Sequence, residues 1–113
     1  MDRRLATSVF ASALIRKAEA EGGFGAVLAR GDAFSGSMLV ILLEKGANPR
    51  LMERVLQADG AYSWLEVQSA SGLEPQDLQR LLDRRRSFDP DLWLIELDVG
   101  SAERFAFEMN SIG

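Results

Sequence analysis

Apolar residues recur at spacings of three and four in the first part of the chain, which is the period of one helix face. This pattern predicts a helix over residues 6–21. Gly22 and Gly23 follow, and glycine commonly ends a helix because it adopts a left-handed conformation without a Cβ clash. The positions on the predicted buried face are Ala6, Val9, Phe10, Ala13, Leu14 and Ala18.

The apolar pattern then shortens to runs typical of β-strands. Residues 38–43 are apolar at every position, so we expect either a central strand that is covered on both faces or a strand with a partner on its second face. Residues 31–36 have the composition of a hairpin loop and residues 46–49 that of a turn, and Asp59-Gly60 predicts a type I′ hairpin turn. The sequence therefore predicts a meander of four strands, at residues 24–30, 37–44, 51–58 and 61–67.

A second helix is predicted from the residues at its start. Pro75 suits the first helical position, which places Glu74 at the N-cap. Leu73, before this cap, and Leu78, after it, can form a hydrophobic staple. The helix then carries a narrow apolar stripe and ends in three cations; the stripe is Leu78, Leu81 and Leu82, and the cations are Arg84, Arg85 and Arg86.

Residues 92–99 predict a last strand. Its alternation places Trp93, Ile95, Leu97 and Val99 on one side and Leu94, Glu96 and Asp98 on the other. Residues 101–107 leave two alternatives, since Phe105 and Phe107 alternate as in a strand whereas Ser101 can cap a short helix. The predicted fold class is α+β, with residues 1–113 as a single domain in which two helices pack on a mainly antiparallel sheet of about five strands.

Composition excludes several kinds of chemistry. The chain of 113 residues has no cysteine and no histidine, so it lacks disulfides, thiolate ligands and the commonest general base near neutral pH. Any catalysis would rest on carboxylates, a lysine, Tyr62 or a hydroxyl group, and we expect no cofactor. The net charge of −4 argues against nucleic acid or an anionic membrane as a partner.

The apolar runs also bear on the compartment. The longest, residues 38–43, is far shorter than the roughly 20 residues that a helix needs to span a bilayer. Polar Thr7, Ser8 and Ser12 interrupt the N-terminal apolar stretch, which argues against a signal peptide. We therefore expect a cytoplasmic protein.

Three segments carry a resemblance to a known family. They read SVFASALIRKAEAEGGFGAV at residues 8–27, RGD at residues 30–32 and FDPDLWLIELD at residues 88–98. In these segments the chain resembles the bacterial family known as domain of unknown function 1491. The resemblance implies a small, single-domain, cytoplasmic protein without an assigned activity, so it supplies no catalytic residues. It also implies a shorter turn and a brief terminal strand where this chain reads VGSAERFAFEMN.

Asp89 and Asp91, joined by Pro90, are the candidate metal ligands. Two neighbouring carboxylates suit a hard divalent cation or a hydrolytic site, although a dedicated cation site usually has more ligands. The structural alternative is that Asp-Pro stops the helix and that the side chain of Asp91 accepts a turn N–H.

Arg84, Arg85 and Arg86 are the candidate anion or nucleic-acid ligands. Three cations in the last turn of a helix are also favoured by the helix dipole. Successive helical residues point about 100° apart, so the three do not form one patch. Pairing with Asp89 and Asp91 is a further alternative.

Trp64, Trp93 and Phe88 are the candidate interaction residues. Large aromatic residues at strand-like spacing are usually core residues, but tryptophan is also enriched at binding hot spots. Since no catalytic constellation is present, the leading hypothesis is a non-enzymatic protein-interaction module that binds a second copy of itself or another protein. The alternatives are the carboxylate site and the arginine site.

Overall fold

The computed structural model describes residues 6–34 and 36–111. Within these residues the chain forms three α-helices and five strands. In chain order they are α1 (Thr7–Ala20), β1 (Phe24–Ala29), β2 (Met38–Glu44), β3 (Ala47–Leu56), β4 (Tyr62–Glu66), a 3₁₀ turn (Gln68–Ala70), α2 (Pro75–Phe88), β5 (Trp93–Val99) and α3 (Ala102–Met109). The α+β class is confirmed, with one more helix than the sequence predicts.

The strands form one sheet in the order β1-β5-β2-β3-β4. Neighbours are antiparallel except β2 and β5, which are parallel. The predicted meander is therefore wrong at its start, because β5 lies between β1 and β2 and residues 30–37 do not form a hairpin. An apolar pattern indicates which faces of a strand are covered, but it does not indicate which strand becomes its neighbour.

The type I′ geometry predicted for the second hairpin turn is found at the first turn instead. Lys45 and Gly46 join β2 to β3 with φ of 49° and 79°, the positive values of a type I′ turn. Between β3 and β4 only Gly60 has positive φ, at 87°, and its N–H donates to the carbonyl of Gln57. The hairpin at Asp59-Gly60 is confirmed, but its type I′ geometry is wrong, because φ at Asp59 is not positive.

Helices cover the sheet on both faces. Helices α1 and α3 pack on what we call the first face, and α2 packs on the second face. Side chains of β2 alternate between the two cores, so the prediction of a central, doubly covered strand is confirmed. The first-face core contains Phe10, Leu14, Met38, Val40, Leu42, Trp64, Trp93, Ile95, Leu97 and Phe105. The second-face core contains Leu39, Ile41, Leu51, Leu82, Leu92 and Leu94.

The ends of the helices follow from local sequence. Glu74 is the N-cap of α2 with Pro75 at the first position, as predicted, and α2 continues two residues past the arginines to Phe88. After β5, Ser101 caps α3 by accepting a hydrogen bond from the N–H of Arg104. The helical alternative for residues 101–107 is therefore confirmed, and α3 stands where the family resemblance implies a terminal strand.

Candidate functional site

A loop whose described residues are 30–34 and 36–37, here called the crossing loop, passes over the start of β5. The N–H of Asp32 donates to the carbonyl of Asp91 at 3.0 Å, and the N–H of Trp93 donates to the carbonyl of Ser37 at 2.8 Å. The indole Nε1 of Trp93 donates to the carbonyl of Asp32 at 2.7 Å. The loop is thus hydrogen-bonded to the segment that precedes β5, although 61 positions separate Asp32 from Trp93.

Two glycines of the crossing loop permit this close approach. A Cβ atom on Gly31 would lie 1.9 Å from the carbonyl oxygen of Asp91, and one on Gly36 would lie 2.3 Å from the same oxygen. Neither glycine has a positive φ. The loop needs glycine at these positions because its backbone lies against that of Asp91 without room for a Cβ atom, and not because a hairpin turn requires a positive φ.

The start of α1 fixes the other side of the crossing loop. The N–H of Ser8 donates to the carbonyl of Ala33 at 3.0 Å. The hydroxyl of Thr7, which is buried, lies within hydrogen-bond distance of the carbonyls of Phe34, at 3.3 Å, and Gly36, at 3.2 Å. The described residues of the loop are therefore bonded to both α1 and β5, which restrains their backbone.

The three arginines at the end of α2 point to different partners. Arg85 pairs with Glu53 on β3 at 2.6 Å. Arg86 donates to the carbonyls of Arg30 at 3.0 Å and Leu92 at 2.7 Å, which links α2 to the crossing loop. Arg84 is exposed and has no ion pair with another described residue. These different partners agree with the 100° rotation between successive helical residues.

Asp89 and Asp91 form a turn. The side-chain Oδ1 of Asp89 accepts a hydrogen bond from the N–H of Asp91 at 3.2 Å. The turn is the predicted kind, but the accepting side chain belongs to Asp89 and not to Asp91. Neither aspartate forms an ion pair with the arginines of α2 in the described part of the chain. Residues 6–34 and 36–111 contain no group of three or more carboxylates placed to hold a metal ion.

The three candidate aromatic residues separate into core and surface. Trp93 is 1% exposed and Trp64 is 6% exposed. The Trp64 ring stacks on that of Phe10 with centroids 6.1 Å apart. Phe88 is 80% exposed at the end of α2, and Phe34 is 79% exposed in the crossing loop. We call Phe34 and Phe88 the phenylalanine pair.

The two members of the phenylalanine pair belong to two segments that meet at the backbone of Asp91. Phe88 precedes Asp91 by three residues, and Phe34 belongs to the loop whose glycines contact the carbonyl of Asp91. Sequence reasoning did not single out Phe34. The available signal is that a large apolar side chain interrupts a run of glycine, aspartate and serine that is otherwise typical of an exposed turn.

A cleft of about 290 Å³ with a mixed polar and apolar lining lies between α1 and β1, on the first-face side of the crossing loop. Arg16 and Arg30 line it together with Ser8 and Ser12, and Trp93 contributes to its wall. The guanidinium of Arg30 lies 5.1 Å from the centroid of the Trp93 ring. No carboxylate is among the lining residues, so the cleft is locally basic in an acidic protein.

A further arginine is part of the first-face core. The guanidinium of Arg54 lies 4.1 Å from the centroid of Phe10 and 4.0 Å from that of Tyr62. It is 9% exposed and so lies between two aromatic rings, an arrangement that the pattern of residues 51–58 gives no reason to expect. We assign this cluster to the core because its rings stack within the chain.

The comparisons with known proteins agree with the fold. A family model described as "Protein of unknown function (DUF1491)" matches residues 5–107. The chain belongs to the DUF1491 family. The family's description states no activity, and no curated protein matches the chain.

Solved structures of DUF1491 relatives have the same fold. The chain is 29% identical to a DUF1491 protein from Caulobacter crescentus in a crystal structure, with a TM-score of 0.74 over 90% of this chain and 94% of the other. It is 28% identical to a protein from A. tumefaciens in a solution structure, with a TM-score of 0.76 over 90% and 92%. An NMR structure of a DUF1491 protein from C. crescentus is 32% identical, with a TM-score of 0.74 over 89% and 91%.

Among the described residues of the DUF1491 chain, no helix combines the length and apolarity that crossing a bilayer requires.

Proposed function

We propose that this DUF1491 protein is a non-enzymatic protein-interaction module of the cytoplasm and that the phenylalanine pair anchors its protein partner. The observation that carries the proposal is the exposure of Phe88 and Phe34, at 80% and 79%, on a restrained backbone. Aromatic side chains are efficient anchors because each one buries a large apolar area when it enters a pocket on the partner.

The restraint of the backbone supports this role. Phe34 lies in the crossing loop, which is bonded to the start of β5 through Asp32 and to α1 through Thr7. Phe88 ends α2, and Arg86 bonds the same turn of helix to the crossing loop. An anchor that is already held in place loses little conformational entropy on binding, so more of its burial energy contributes to affinity. We therefore expect a partner with apolar pockets that receive both rings.

Single substitutions at the phenylalanine pair test the proposal. We expect Phe34→Ser and Phe88→Ser to leave the circular dichroism spectrum and Tm close to those of the wild type, because both rings are exposed. Each should lower binding of a partner captured from the native host at least tenfold, the size of a modest hot spot. Phe107→Ser is the matched control, since Phe107 is 82% exposed on α3, away from the crossing loop.

The comparison of captured proteins decides the outcome. A protein that the wild type and Phe107→Ser retain equally, and that Phe34→Ser and Phe88→Ser both lose, supports the proposal. An identical set of proteins bound by all four forms contradicts it.

A second candidate function, binding of a small anion, is favoured by the basic cleft between α1 and β1. The sequence pointed to Arg84, Arg85 and Arg86, but Arg16 and Arg30 are the arginines that share a cavity and have no ion pair with described residues. Two guanidinium groups with two hydroxyls suit a phosphate or carboxylate ligand. Titration with inorganic phosphate or pyrophosphate should change Trp93 fluorescence in the wild type and in Arg80→Gln, but not in Arg16→Gln. No response in the wild type would exclude this candidate.

A further inference from the structure

The two edges of the sheet differ in how their backbone is protected. At the β4 edge, the N–H of Trp64 donates to the side-chain Oδ1 of Asn110, just after α3, at 2.8 Å. At the β1 edge, no backbone group of residues 24–29 bonds to a described residue other than those of β5. The β1 edge thus presents donors and acceptors that a further strand can use.

The side chains of β1 do not protect this edge with charge. Natural edge strands usually carry a charged residue, often lysine, or a proline, and either one prevents pairing with other chains. Strand β1 reads FGAVLA and has none of these. Phe24 is 59% exposed and Leu28 is 50% exposed. A bulge between Val27 and Ala29 interrupts the ladder to β5, which leaves the regular part of the strand at residues 24–27.

We propose that β1 pairs antiparallel with β1 of a second copy of this chain, so that one sheet continues through a twofold dimer. A twofold axis makes such an interface self-complementary, because every contact between two residues occurs twice, once from each copy. The inference goes beyond the phenylalanine pair and uses a different surface. Neither proposal requires the other.

Charge at the two ends of β1 favours a second copy in the antiparallel direction. The strand begins next to Asp98, which is opposite Phe24 in the ladder, and next to Glu21, the C-cap of α1, whose charge is paired with Lys17. It is followed at its other end by Arg30, which has no ion pair with a described residue. Antiparallel pairing brings Arg30 of each copy toward Asp98 of the other. Parallel pairing would bring like charges together, which is unfavourable.

Apolar side chains on both faces of the edge add to the interface. Phe24 lies on the second face, beside Asp98, whereas Val27 lies on the first face, beside Ile95. Val9 of α1 is also exposed on the first-face side. A ladder over the regular part of β1, residues 24–27, spans only about 14 Å. Because a stable interface buries at least about 1,000 Å², we expect a weak dimer with a Kd in the micromolar range.

Sedimentation of the full chain tests this inference directly. Between about 5 and 500 µM, the wild type should shift from monomer to dimer, with weaker association at 0.5 M than at 0.05 M NaCl because the end charges are screened. Ala26→Lys places a lysine at the exposed middle of each β1, and it should raise the Kd at least tenfold without changing Tm. The matched control is Leu65→Lys on β4, which adds the same charge at the opposite edge and should dimerise as the wild type does.

Charge exchange and a second surface variant sharpen the test. Arg30→Glu should weaken the dimer, because it places a carboxylate opposite Asp98 of the other copy, whereas Arg30→Lys should keep the dimer. Phe88→Ser should dimerise normally. Loss of the dimer in Phe88→Ser but not in Ala26→Lys would place the contact at the phenylalanine pair and overturn the β1 proposal.

The amides of β1 supply an independent readout. Hydrogen exchange of residues 24–27 should slow as the wild-type concentration rises through the Kd, while exchange in β4 stays constant. A wild type that remains monomeric at 500 µM overturns the proposal and leaves the β1 edge to an extended segment of another protein. Dimerisation with no change in β1 exchange also overturns it.

Discussion

The two faces of the sheet are covered by helices of very different character. On the first face, α1 and α3 enclose large aromatic side chains, including Trp93 and Phe10. On the second face, α2 contributes leucines, of which only Leu82 is fully buried. The first face is a filled core, whereas the second face has a narrow apolar cover. Local stability should therefore be higher at α1 than at α2.

Truncation of Trp93 should have the largest effect on this comparison. Trp93→Ala removes a ring that is 1% exposed from the first-face core and should lower the free energy of unfolding by about 3–5 kcal/mol. Trp93→Phe keeps most of the ring but leaves the carbonyl of Asp32 without its indole donor, which should cost about 1–3 kcal/mol. Urea denaturation followed by circular dichroism measures both. A loss below about 1 kcal/mol for Trp93→Ala would contradict the packing described.

Truncation of Leu82 should have the next largest effect. Leu82→Ala leaves a cavity under α2 and should cost about 2–3 kcal/mol, at the low end for buried leucines because a thin cover can relax into the space. Leu14→Ala on α1, a buried leucine of the first face, is the matched comparison and should cost more. Native-state hydrogen exchange should also be faster in α2 than in α1. Equal exchange rates in the two helices would show that the faces are equally stable.

Much of this difference could be predicted from the apolar pattern. Residues 38–43 specify a doubly covered strand because no position is polar, and Leu78, Leu81 and Leu82 specify a helix with one narrow buried stripe. The cap at Glu74 and Pro75 could also be predicted, since it depends on neighbouring residues alone. These features depend on residues that are neighbours in the sequence, so they can be predicted without knowledge of the fold.

The arrangement at the start of β5 could not be predicted, because it depends on contacts between distant segments. Gly31 and Gly36 have the composition of a hairpin, yet they are needed for the approach of Asp91. The φ angle at Lys45 is positive although lysine gives no signal for it. The sequence names Phe88 as a candidate interaction residue and favours a core position for Trp93, but the exposed Phe34 of the crossing loop was found only with the fold.

Substitutions of two neighbouring arginines compare how much the crossing loop and the second face each contribute to the attachment of α2. Arg86→Met removes a cation that donates to the carbonyls of Arg30 and Leu92, and should cost about 1–3 kcal/mol because hydrogen bonds to charged groups are strong. Arg85→Met removes the half-exposed pair with Glu53 and should cost less than about 1 kcal/mol. Denaturation in urea ranks the two. The reverse order would mean that the ion pair, and not the crossing loop, is what attaches α2.

The smallest expected effect concerns the ionic link between the two helices of the first face. Lys17 of α1 donates to Glu108 of α3 at 3.0 Å and also pairs with Glu21. The hydrogen bond from Lys17 holds the pKa of Glu108 below its ordinary value. The bonds to Glu21 and Glu108 hold the pKa of Lys17 above its ordinary value.

These directions fix the sign of the pH dependence. The contribution of Glu108 is present above the unfolded pKa, about 4.3, and is lost as pH falls through the lower folded pKa. That of Lys17 is present below about 10.4 and is lost as pH rises through the higher folded pKa. Glu108→Gln should therefore lower Tm by only roughly 1–2 °C at pH 7, because the link is exposed and screened. At pH 3 the decrease should be smaller, because protonation of Glu108 already weakens the link in the wild type. Glu103→Gln, an exposed change on the same helix, is the control. An equal shift at both pH values would show that Glu108 acts through packing and not through its charge.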